Sequence, residues 1–260
     1  MSVRHLEGKR ALVTGASSGI GEAVASELAR RGARVMLAAR SEDRLRKLED
    51  ELRSRGCEAY RCRADITSSP HRERLIATVQ DQLGGLDILV NNAGVGASGP
   101  FSESSESVLR SVMELNFFAL VETTRLAFPL LRRGNGAMVV NISSILGRRA
   151  IPDCSEYCSS KFAVTGFSEA LRAECARDGI GVLVVHAGLT DTPFREHMLH
   201  RGTRRNWQKH RMMPAAVVAR KTVQAIRRRR HELNLTTEGI LLVGLNKLLP
   251  RLVNWAMARY

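Results

Sequence analysis

The 260-residue chain carries 40 lysines and arginines against 26 aspartates and glutamates, a formal net charge of +14. Hydrophobic residues at 44% and charged residues at 25% fit a soluble globular protein and exclude a disordered chain, which has too little apolar surface to bury. The length supports one sizeable core, and the charge concerns association with nucleic acid, anionic membrane or acidic substrates rather than fold.

The start, MSVRHLEGKRALVTG, is charged at Arg4, Glu7, Lys9 and Arg10 and has no apolar stretch before the first strand. It does not read as a secretory signal, and a cytoplasmic location is expected. The first apolar run, RALVTG, passes into TGASSGIG and a helix near residues 20–31. Glycines at Gly15, Gly19 and Gly21 let a backbone turn sharply and approach a pyrophosphate, whose charge suits a helix N-terminus. The spacing G-x-x-x-G-x-G differs from the usual dinucleotide fingerprint, and a glycine turn can also serve only the turn.

The second run, ARVMLAAR, ends at Arg40. An acid at the tip of this strand binds a ribose 2′-hydroxyl, whereas an arginine accommodates a 2′-phosphate. Arg40 therefore points to NADP, with Glu42 or Asp43 on the ribose as the alternative. In SEDRLRKLEDEL, Ser41 is a predicted N-cap, and Leu45, Leu48 and Leu52 repeat at helical spacing. Helices are predicted near residues 69–83, 105–131, 155–177 and 214–230, with apolar runs LDILVNN, AMVVNISS and IGVLVVHAG between them. Alternating apolar strands and helices predict an α/β fold, a single doubly wound parallel sheet with helices on both faces. Five cysteines, Cys57, Cys62, Cys154, Cys158 and Cys175, are an odd number without a C-x-x-C pair. They read as buried or idle thiols rather than a disulfide framework or zinc site, and no metal is expected.

In EYCSSK, Tyr157 and Lys161 stand four residues apart on one helix face. A nearby ammonium favours a phenolate and is expected to lower the phenol's pKa toward a working proton donor or acceptor. A tyrosine and lysine at this spacing are also common in ordinary packing, so the neighbours decide. TGASSGIG, Asp65 in RADIT, NNAG at 91–94, Asn116 in MELN, Ser144 in NISS and YCSSK follow the order and spacing of the short-chain dehydrogenase/reductase family, which the chain resembles over residues 7–236.

The resemblance implies an NADP(H)-dependent oxidoreductase interconverting a carbonyl and a secondary alcohol, in the manner of a carbonyl reductase. It implies Tyr157 as general acid or base and Ser144 as hydrogen-bond donor to the substrate oxygen. Lys161 would tune the tyrosine and hold the nicotinamide ribose, and the backbone of Asn116 would carry a water linking Lys161 to solvent. The cofactor phosphates would meet Gly15, Ser17, Ser18, Gly19, Ile20 and Gly21. Arg40 would meet the 2′-phosphate, Asp65 the adenine amine, Asn92, Ala93 and Gly94 the adenosine ribose side, and Thr190 the nicotinamide amide. Where the family has Pro-Gly after its sixth strand, this chain has Ala187-Gly188, losing proline's fixed φ.

Segment 193–213 is expected to be a substrate lid, with Arg195, Arg201, Arg204, Arg205, Lys209 and Arg211 against Glu196. It reads either as an anion-attracting lid or as a solvated basic loop; nucleic acid is not expected, because aromatics are scarce here, with Trp207 alone among the cations from Arg201 to Arg211. The tail from residue 237 to 260, GILLVGLNKLLPRLVNWAMARY at its core, is too interrupted to span a membrane. As one helix it would show a polar stripe of Gly244, Lys247, Arg251 and Asn254 against a broad apolar face. That face suits peripheral contact with a membrane or a subunit contact equally. The expected partners are a small-molecule carbonyl or alcohol, lipid-like or steroid-like or anionic, and further copies of the chain in a homo-oligomer, a dimer or tetramer. The alternative is a catalytically idle NADP-binding, membrane-associated interaction protein.

Overall fold

The structure, a computed structural model, describes residues 5–200 and 212–259. Its elements in chain order begin with β1 (Arg10–Thr14), α1 (Gly19–Ala29), β2 (Arg34–Ala39), α2 (Glu42–Ser54), β3 (Ala59–Arg63), α3 (Ser69–Leu83) and β4 (Ile88–Asn91). They continue with α4 (Glu106–Met113), α5 (Ala119–Arg132), β5 (Met138–Ser144), α6 (Ser155–Glu174) and β6 (Gly181–Ala187). After them come β7 (Thr190–Asp191), β8 (Met213–Pro214), α7 (Ala215–Arg227), β9 (Glu232–Asn234), α8 (Thr237–Leu248) and α9 (Pro250–Arg259). Seven strands form one parallel sheet in the order β3-β2-β1-β4-β5-β6-β9, with β7 and β8 paired separately. The predicted doubly wound parallel sheet is the observed one.

The apolar runs become central strands because successive side chains point to opposite faces, and both faces are covered. In β1, Ala11 and Val13 join the core under α1, α2 and α7, whereas Leu12 joins the core under α3 and α5. Two strands of the seven-stranded sheet lie outside the apolar runs, and both are its edges. In β3 (AYRCR) only Ala59 and Cys62 are buried, and β9 (ELN) is partly exposed throughout. An edge strand with one solvated side keeps polar residues that hide it from a hydrophobicity reading.

Three helix expectations change. Ser41 is the N-cap residue of α2, yet its hydroxyl makes no capping bond. The single helix expected over 105–131 is interrupted by a π-helical turn at Glu114–Phe118. The tail is two helices rather than one: Leu249 leaves helical geometry at φ −132, ψ 59, immediately before Pro250, as steric conflict with a following proline requires. The single polar stripe is therefore not formed, and Asn254 accepts a hydrogen bond from Arg149 at 2.8 Å. Among the described residues no helix is long and apolar enough to cross a membrane.

At the amino ends of the strands, Asp87 is 2% exposed. Its carboxylate accepts from the Arg10 backbone at 2.9 Å, the Arg10 guanidinium at 3.0 and 2.8 Å, and the Asn135 backbone at 2.7 Å. Burial opposes the charge, but these bonds outweigh it and hold the carboxyl below its usual range.

Candidate active site

The carboxyl ends of β1 to β6 open on one cavity of about 1180 Å³. It lies where strand order reverses between β1 and β4, the place where an open parallel sheet leaves a crevice. Gly15, Ser17, Ser18, Gly19, Ile20, Arg40, Asp65, Asn92, Ala93, Gly94, Ser144, Tyr157, Lys161 and Thr190 all line it. Of the expected site residues, Gly21 and Asn116 do not; both are buried beside it.

The turn after β1 fits a phosphate cradle. Gly15 and Gly19 have φ of +64° and +60°, a region that glycine enters without strain. A Cβ on Gly21 would fall 2.2 Å from the Gly15 carbonyl oxygen, so Gly21 acts as the close-packing glycine under the turn. Ser18 caps α1 without a side-chain bond, leaving the first N–H groups of the helix to an anion. The Asn92 amide secures the turn by donating to the Thr14 and Gly15 carbonyls at 3.0 and 3.1 Å.

Arg40 and Arg44 both line the cavity beyond β2. Arg44 was missed from sequence; its signal was its place four residues after Arg40, in the first turn of α2. Glu42 is held by Arg61 at 2.7 Å. Asp65 is opposed by burial, but it accepts from the Thr67 hydroxyl and backbone at 2.8 and 3.0 Å and lies below its usual pKa.

At the other end, Ser144 closes β5 and Tyr157 opens the first turns of α6, and both line the cavity. Lys161, 5% exposed, has its Nζ 5.6 Å from the Tyr157 ring centre and donates to the Ile142 carbonyl at 3.1 Å. Burial pushes the phenol above its usual pKa, with the Ser144 hydroxyl pulling the other way, and burial lowers the Lys161 ammonium to about 8. The expectation of a phenol lowered by its lysine is thereby corrected. In this crevice loss of hydration opposes phenolate and ammonium alike, and it outweighs their attraction.

Asn116 sits in the π turn, a device common at functional sites. Its amide accepts from the Val95 N–H at 2.8 Å and donates to the Val95 carbonyl at 2.9 Å and the Ser160 hydroxyl at 3.0 Å. It thus bolts the loop after β4 to the turn of α6 that carries Tyr157 and Lys161. Behind Ser144, the ring Nδ1 of fully buried His186 is 3.1 Å from the Ser144 carbonyl.

Around this end stand Ile145, Leu146, Phe194 and Met198, with the Phe194 ring 6.0 Å from that of Tyr157. The wall also includes Thr236, Gly239 and Leu242, so the C-terminal segment belongs to the site, a role its sequence did not disclose. A Cβ on Gly239 would lie 2.5 Å from Ile145. Of the expected lid, Arg195 lines the cavity; Arg201, Arg204, Arg205, Trp207, Lys209 and Arg211 lie outside the described residues.

Residues 9–201 match the family model for short chain dehydrogenase. A protein from Pinus massoniana named 11-beta-hydroxysteroid dehydrogenase is 42% identical over 65% of this chain and 48% of its own length. A short chain dehydrogenase/reductase from Burkholderia phymatum, solved in complex with NAD, superposes with a TM-score of 0.88 at 26% identity, covering 96% of both chains. An alcohol dehydrogenase from Thermococcus sibiricus, solved with 5-hydroxy-NADP, gives 0.79 at 29% identity over 87% of this chain and 95% of its own. With the family model matched over most of its length and the cavity assembled at the carboxyl ends of its sheet, the chain belongs to the short-chain dehydrogenase/reductase family of nicotinamide-dependent oxidoreductases.

Proposed function

We propose that the protein is an NADP(H)-dependent oxidoreductase that interconverts a carbonyl and a secondary alcohol. The observation that carries this reading is the convergence of Ser144, Tyr157 and Lys161 on one wall of the cavity. When bound, the nicotinamide supplies or accepts a hydride. In reduction the substrate oxygen gains negative charge, and it requires a donor already in place and a proton. The Ser144 hydroxyl is the positioned donor. Tyr157, kept protonated at neutral pH by its burial, is the general acid; in oxidation its conjugate base takes the alcohol proton. Lys161, with its lowered pKa, holds a proton beside the phenol and binds the cofactor ribose. Asn116 fixes the loop and helix around it, and its backbone holds the water that returns protons from solvent.

Arg40 and Arg44 support NADP over NAD, because two cations line the cavity just beyond β2, able to pair with a 2′-phosphate, and the competing acid Glu42 is already paired with Arg61. Gly15, Ser17, Ser18, Gly19 and Ile20 hold the phosphates over the Gly21 packing, Asp65 the adenine amine, Asn92, Ala93 and Gly94 the adenosine ribose side, and Thr190 the nicotinamide amide. Ile145, Leu146, Phe194, Met198 and Leu242 support a bulky, lipid-like substrate. A homo-oligomer and peripheral contact through the C-terminal helices complete the proposal. The test is NADPH consumption over a panel of carbonyls. Tyr157→Phe lowers the rate roughly 10²- to 10⁴-fold, and equal rates in both proteins would defeat the mechanism.

A further inference from the structure

The outer face of α8 and α9 exposes Ile240, Leu241, Leu245, Leu248, Leu252 and Trp255, with Leu241 71% and Leu248 80% exposed. Leu241, Leu245 and Leu248 recur at helical spacing along α8, and Leu252 and Trp255 do so along α9, so each helix has its own exposed apolar face rather than scattered apolar positions. The same helices expose Lys247, Arg251 and Arg259. From residue 239 to 259 the chain has no acidic residue. The Arg259 guanidinium lies 4.0 Å from the Trp255 ring centre, a cation and an amphipathic ring at one edge of the apolar face.

We infer that this face docks on an anionic lipid surface, with α8 and α9 lying in the plane of the interface. Exposed leucines and a tryptophan supply apolar area to the acyl boundary, and the three cations meet lipid phosphates and carboxylates. A second copy of the chain is a poorer occupant. A twofold interface brings a patch against itself, and here that would set cations against cations with no acid between them, on a chain of net charge +14. The same helix α8 supplies Gly239 and Leu242 to the cavity wall, so docking sets that wall at the lipid boundary. Entry of an apolar carbonyl from the bilayer across α8 then rests on the proposed reductase activity; the docking itself does not.

The test uses the full chain with vesicles of phosphatidylcholine alone and of phosphatidylcholine with about 30% phosphatidylserine. Binding is expected to the anionic vesicles alone, to weaken with salt, and to shift tryptophan emission to shorter wavelength, a shift abolished by Trp255→Phe. Leu241→Glu/Leu248→Glu abolishes binding while activity on a small water-soluble carbonyl is retained, which separates failure of docking from failure of the reductase reading. Lys247→Gln/Arg251→Gln, which leaves the apolar face intact, weakens binding about 30-fold. The inference is overturned if the wild type ignores anionic vesicles, or if all the variants bind as well as it does. It is equally overturned if wild type stays off vesicles and Leu241→Glu/Leu248→Glu reduces oligomeric size, which would make the face a contact between copies.

Discussion

Replacing Lys161 with methionine should make the unliganded protein more stable while destroying its activity. The ammonium is buried, and its pKa falls from 10.5 to about 8. At about 1.4 kcal/mol per pKa unit, that displacement is a penalty of roughly 3 kcal/mol on the folded state wherever the lysine is charged. Methionine fills similar volume without charge. The loss is the hydrogen bond to the Ile142 carbonyl, whose residue is also paired with Val185 in the sheet, so about 1 kcal/mol is forfeited. The net gain near pH 7 is about 2 kcal/mol, or roughly 4–8 °C in Tm for a domain of this size.

The pH dependence identifies the cause. Below about 8 the lysine is charged in both states and the penalty is constant. Between about 8 and 10.5 the unfolded chain holds the proton and the folded chain has released it, so wild-type stability rises with pH. The advantage of Lys161→Met therefore shrinks through that window and vanishes by about pH 10. Thermal unfolding of both proteins without cofactor at pH 7, 8.5 and 10 reads this directly. A variant less stable than wild type at pH 7, or a difference that does not move with pH, would refute the reasoning that burial governs this lysine.

Arg40→Ala, alone or with Arg44→Ala, should raise KM for NADPH about 10- to 100-fold with little change for NADH; parallel losses with both cofactors would remove the arginines from the 2′-phosphate. Asp87→Ala should cost about 3–5 kcal/mol in urea unfolding, since it leaves the Arg10 guanidinium without its buried partner. The lowered carboxyl at Asp87 contributes stability that is complete above the ordinary aspartate range and is lost as pH falls through its depressed pKa. Asp87→Asn should flatten that acid limb of the stability curve, as pH-dependent melting would reveal.

The sequence was most readable where a residue's role depends on its neighbours along the chain. Leu12, Met36, Leu89, Val139 and Leu183 announce buried central strands, and the glycine turn announces the cavity end of β1. It was least readable where distant segments meet. The Arg61 in edge strand β3 that occupies Glu42, and Gly239 lying against Ile145, leave no periodic trace. Lys161 shows the same limit in electrostatics. Spacing brings an ammonium to a phenol, but only the burial of both reveals that dehydration, rather than attraction, sets the direction in which each titrates.

The closure of the cavity by Thr236, Gly239 and Leu242 bears on how the protein is made. A ribosome releases the glycine turn, the serine and the tyrosine long before these wall residues, and β9, which precedes them, is the last strand in chain order and an edge of the sheet. Nascent chain emerging in that order can collapse around β1 and β4 while the crevice still lacks one side. A cofactor meeting such an intermediate finds the phosphate turn ready but the catalytic end open to water. Translational pausing before residue 236 would therefore expose the glycine turn before the wall that Thr236, Gly239 and Leu242 provide is in place.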